Sequence, residues 1–133
     1  MLRLNNKWVY LLGFLAIIIV YSLYNIFFDL TLDPEVPRII KHANKLLSIL
    51  LVYGIGMLTL RRFATQWMMQ LWHIVHFAVI TILLCIGFYD WYNGSITNQM
   101  RDIANTLHDF LISPVLYAGI GIIKYSLINN TLR

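Results

Sequence analysis

The stretch WVYLLGFLAIIIVYSLYNIFF, residues 8–28, contains no Asp, Glu, Lys, Arg or His. A helix rises about 1.5 Å per residue, so roughly 20 such residues cross the ~30 Å hydrocarbon layer of a bilayer. Working outward, residues 46–60, 77–89 and 110–123 also lack charged residues and histidine. With their flanks they predict further spans, giving helices over about 7–28, 39–60, 68–89 and 103–127. The expected fold is all-α: one integral membrane four-helix bundle covering 1–133, with no soluble domain left over.

Composition agrees with this reading. A chain of 133 residues that is 59% hydrophobic and 12% charged has too little polar surface to cover a soluble globule. The first span follows a short basic start, as a secretory signal does. Its apolar run exceeds a signal core and no small-x-small site precedes the acidic segment after it, so it is read as a mature helix.

The connections are short. DLTLDPEVP (29–37) carries two prolines and three acids, RRFATQW (61–67) is basic, and DWYNGSITNQ (90–99) holds an Asn-Gly turn signal. They predict up-down-up-down topology. Arg3, Lys7, Arg61, Arg62, Lys124 and Arg133 then fall on one side. Arg38, Lys41, Lys45 and Arg101 fall on the other, diluted by Asp29, Asp33, Glu35, Asp90, Asp102 and Asp109. This bias predicts two cytoplasmic termini, in a bacterial inner membrane. Trp8, Trp67, Trp72, Trp91, Tyr89 and Tyr92 lie near predicted span ends, the place of an interfacial aromatic belt. The net charge of +4 is assigned to orientation and anionic lipid, not to nucleic acid, because no basic-aromatic surface remains outside the membrane.

A faint repeat relates the halves. His42 precedes Gly54-Ile55-Gly56 in helix two, and His108 precedes Gly119-Ile120-Gly121 in helix four, which leaves open two repeated helical hairpins. The Gly-Ile-Gly elements are expected to let helix backbones approach closely.

His42 and His108 are expected at similar depth near the outer ends of their helices. A haem iron held by two imidazoles needs its ligands at one level on facing helices. In a square bundle the diagonal axes stand about 13 Å apart, wide enough for a macrocycle. With helices two and four as that diagonal, the geometry resembles small four-helix b-type cytochromes. The likeness is one of geometry only, with no family motif matched, and the placement makes His42 and His108 the expected metal ligands of a haem b. Lys41, Lys45, Arg38 and Arg101 would meet the propionates, and Asn44, Asn105, Ser48 and Asp109 would fix the remaining imidazole nitrogens. A quinone pocket lined by the same residues, or plain interhelical hydrogen bonding, are the alternatives.

His73 and His76 share one face of helix three at the inner side. No histidine of another helix is expected at that depth, and the neighbours Arg61 and Arg62 oppose metal binding, so the pair is read as polar rim, with contact to a quinone headgroup or anionic lipid as the alternative. Cys85 is alone, which excludes thiolate clusters and disulfide exchange. Arg101 and His108 in RDIANTLH resemble the Arg-then-His signature of HEPN ribonucleases, but lipid depth makes nuclease chemistry unexpected. No phosphate loop, nucleophile elbow or zincin helix occurs, and nothing requires an enzyme. Three function classes follow: an electron-transfer subunit with haem or quinone, a cofactor-free subunit that assembles with other membrane subunits or with itself, and a small oligomeric channel or transporter. No acidic residue is expected at the midplane, which weighs against the last.

Overall fold

The computed structural model describes residues 6–29 and 37–131. Among them 93% are helical and none is in a strand. Helix α1 spans Asn6–Tyr24 and runs on into a π-helical turn, Asn25–Asp29. Helices α2 (Arg38–Phe63), α3 (Gln66–Asn93), α4 (Asn98–Ile112) and α5 (Pro114–Thr131) follow. Segments Asn6–Phe27, Ile39–Phe63 and Gln66–Asn93 are each long and apolar enough to cross a membrane. The pair α4 and α5, bent by 47° at its junction, makes a fourth if taken as one span.

The caps explain where these helices start and stop. Gly94 adopts a left-handed conformation at φ 73° and donates its N–H to Asp90 O, so the Asn-Gly signal does end α3. Thr97 then opens α4, its Oγ1 accepting the Met100 N–H at 3.3 Å. This cap starts α4 at Asn98, five residues before the expected 103. The single helix expected over 103–127 is two. Ser113 before Pro114 is extended, as a residue preceding proline prefers, and Pro114 brings no N–H to continue the ladder. Ser113 Oγ donates to Phe110 O at 2.8 Å and supplies the carbonyl with a donor at the break.

Contact pairs give the relative directions. Tyr10 stacks on Phe63 while Gly13 meets Thr59, so α1 and α2 run antiparallel. Gly56 lies against Trp72 and His42 against Asp90, so α2 and α3 are antiparallel as well. Lys45 meets Asn105 and Ser48 meets His108, which sets α4 parallel to α2. Lys7, Arg61, Arg62 and Lys124 share one end of the molecule, and Asp90 and Asp102 belong to the other.

Burial runs through the middle of this arrangement. Ile17, Val52, Trp72, Leu111, Tyr117 and Ile120 are buried, whereas Leu15, Ile19, Leu50, Ile74, Phe88 and Ile122 are exposed. Large apolar side chains on the outside are the surface that lipid covers. Of the charges weighed for orientation, Arg3, Asp33, Glu35 and Arg133 lie outside the described residues, as do the side chains of Asp29 and Arg38.

Candidate functional site

Two groups of polar side chains lie between the helices. The first joins α2 to α4. Lys45 Nζ donates to Asn105 Oδ1, and one turn further in, Ser48 Oγ lies 2.9 Å from His108 Nε2. His108 Nδ1 is 3.2 Å from Asp109 Oδ1, and the Tyr24 ring covers the imidazole with centroids 4.6 Å apart. A carboxylate only accepts, so its partner nitrogen Nδ1 carries the proton. Nε2 is then an acceptor, and it competes with Lys45 O, 2.7 Å from Ser48 Oγ, for the single proton of the Ser48 hydroxyl.

That order of contacts is the order of a Ser-His-Asp triad. The surroundings are not those of one. Ser48 is 6% exposed and His108 1%, and Tyr24 closes over the ring, so a substrate carbonyl has no approach to the hydroxyl. What the cluster does chemically is tie α2 to α4 where an unpaired polar group in lipid would be costly.

The structure does not bring His42 and His108 together. His42 Nε2 faces Asp90 Oδ2 at 3.5 Å, with its side chain 53% exposed, and links the start of α2 to the end of α3. His108 is level with Ser48, six residues or about 9 Å further along α2 than His42. The early start of α4 at Thr97 is the reason, since it carries His108 deeper than a helix beginning at 103 would. Nor are α2 and α4 a diagonal pair, because they pack in direct contact. A bis-imidazole haem between these residues does not fit this register. Asn44, half-buried on α2, and Arg101, exposed on α4, do not join the cluster.

The second group lies toward the basic end. Trp72 fills the space left by Gly56, where a Cβ would overlap its ring, and its Nε1 donates to Tyr53 O at 3.4 Å. Tyr53 Oη meets His73 Nδ1 at 2.7 Å. His76 packs on Trp72 with ring centroids 4.2 Å apart, and its Nδ1 donates to Trp72 O at 2.9 Å. Because a carbonyl cannot donate, this bond fixes the proton on Nδ1, and the buried Nε2 has no hydrogen-bond partner among the described residues. Alongside, Tyr10 and Tyr117 stack with centroids 4.7 Å apart, and Tyr10 Oη donates to Tyr117 O. Tyr117 Oη reaches both Tyr10 O and Thr59 Oγ1.

Two expectations change here. Trp72, placed with the interfacial belt, is core, because α3 starts at Gln66 and puts residue 72 nearly two turns inside. His73 and His76 are not polar rim: His76 is completely buried and His73 bonds across to α2. In the sequence, Tyr10, Tyr53 and Tyr117 carry no periodic signal among so many aromatics. The Gly-Ile-Gly elements, expected to bring helix backbones together, hold aromatic rings instead. Gly56 seats Trp72 and Gly121 seats Tyr10, while Gly54 and Gly119 face open space.

The chain matches no protein-family model, no curated protein and no solved structure. Among the described residues, no group of three or more His, Cys, Asp or Glu side chains converges as a metal site would need, and Cys85 is exposed on α3. The side chains that do converge make interhelical bonds and aromatic packing.

Proposed function

We propose that the chain is a four-span, up-down-up-down inner-membrane protein that works as a subunit of a larger membrane assembly, either with other subunits or with further copies of itself. The observation that carries this reading is how the space between the helices is used. Trp72 in the Gly56 hollow, Tyr10 in the Gly121 hollow and Tyr117 against Gly13 and Thr59 close the helices directly on one another. The connections α2–α3 and α3–α4 are only a few residues long. Helix faces toward lipid are therefore the large surfaces left for recognition, and packing, not water exclusion, would drive association there. Both termini are placed on the cytoplasmic side by the same proposal, with the acid-bearing end outward.

Gentle solubilisation of native membranes followed by native electrophoresis tests it. A reproducible assembly of fixed stoichiometry is expected, and isolation as a lone monomer overturns the proposal. A reduced-minus-oxidised spectrum of protein made with haem supplied separates it from the cytochrome reading. Sharp α and β bands lost in both His42→Ala and His108→Ala would replace the assembly role with electron transfer.

A further inference from the structure

At the basic end, α1 and α2 leave a groove of about 630 Å³ lined by Val9, Leu58, Thr59, Arg61 and Arg62. Its parts are ordered by depth. Arg61 and Arg62 stand in the last turn of α2, and Leu58 lies about 5 Å further into the span. Lys7 begins the facing helix and is exposed, and Trp8 beside it is 61% exposed at the depth where indole rings meet headgroups. Lys124 of α5 adds a third element, its Nζ 4.0 Å from the Phe63 ring centroid. Residues 6–24, 46–63, 66–89 and 114–131 contain no Asp or Glu, so among the described residues the spans that meet at this end bring no carboxylate side chain to these cations.

We propose that this groove binds one anionic phospholipid. The phosphate sits between the Arg61 and Arg62 guanidinium groups, whose planar forks suit phosphate oxygens, and an acyl chain lies along Val9 and Leu58. The pairing is amphipathic on both sides: cations meet the headgroup at the mouth, and apolar side chains meet hydrocarbon below. Basic pockets between spanning helices on the cytoplasmic side are a known setting for such headgroups. The inference uses the membrane reading of the chain but does not depend on its having protein partners, and a failed assembly experiment leaves it standing.

The test is native mass spectrometry of the purified full-length protein with equimolar phosphatidylglycerol and phosphatidylcholine of matched chains. Preferential retention of phosphatidylglycerol is expected. R61Q/R62Q should weaken it about 30-fold, from the usual contribution of a cation near an anionic lipid surface. Leu58→Trp should weaken it with every charge in place, and K41Q/R101Q, which removes the same charge at the other end, should leave it unchanged. Equal retention of the two lipids, or an equal loss in K41Q/R101Q, overturns the proposal. Displacement by inorganic phosphate alone overturns it too, in favour of a free-anion site.

Discussion

At the scale of single residues, the glycines divide by what faces them. Gly56 lies under the Trp72 ring, whereas Gly54, two residues away on the same helix, faces open space. Gly56→Ala should overpack the interface and lower stability by about 1–3 kcal/mol. Gly54→Ala should be neutral or gain up to about 1 kcal/mol, since alanine is the better helix former. Unfolding of the detergent-solubilised protein by denaturant reads both, and equal effects would deny the Trp72 seat. His76 offers a second contrast. Its Nε2 is a buried acceptor without a partner among the described residues, and such a group costs about 1–3 kcal/mol relative to one that is satisfied. His76→Phe keeps a ring against Trp72 and removes the orphan, so it should leave stability unchanged or raise it. A clear loss of stability, if His76→Leu shows it too, would mean that the ring nitrogens hold the site together, through Nδ1 on Trp72 O or a buried water on Nε2.

At the scale of helices, the length of each apolar run was legible in the sequence, but register across neighbours was not. A five-residue error at the start of α4 was enough to place His108 level with His42, and the signal that corrects it is a single threonine, Thr97, whose hydroxyl caps the helix. The break at Ser113–Pro114 was legible in principle, because proline removes a ladder bond wherever it stands. An apolar run of spanning length hid it. Which polar residues meet was readable only in part: Lys45, Ser48, Asn105 and His108 do come together, but as a seam between adjacent helices and not as a pocket between opposed ones. That seam has a measurable strength. Lys45 Nζ donates to Asn105 Oδ1 from α2 to α4, and polar pairs between membrane helices average about 0.6 kcal/mol with a maximum near 1.7. A double-mutant cycle with Lys45→Met and Asn105→Leu should return a favourable coupling in that range. A coupling of zero would show that this pair adds nothing to the seam and would leave Ser48–His108 as its polar tie.

At the scale of the whole molecule, charge is sorted by end. Lys7, Arg61, Arg62 and Lys124 lie at one end with no carboxylate in the spans that meet there, while Lys41, Lys45 and Arg101 share the other end with Asp90 and Asp102. Lys and Arg beside short connections are the residues that resist translocation, whereas acids have little influence; Arg61 and Arg62 flank the α2–α3 connection and Arg101 alone follows the α3–α4 connection, so the Arg61/Arg62 end should remain in the cytoplasm. The consequence can be checked without knowing the protein's role. With Cys85 replaced by Ala, a cysteine at Ser95 in the α3–α4 turn should react with a membrane-impermeant maleimide added to spheroplasts. A cysteine at Asn130, near the end of α5, should react only after the membrane is opened. The two positions stand at opposite ends because α5 runs parallel to α2 and carries Lys124 to the Phe63 level. Reactivity of both from outside would mean that the α4–α5 pair turns back at its 47° bend as a re-entrant loop and does not cross. The reverse pattern would place the arginine groove on the outer leaflet and invert the charge argument for the whole chain.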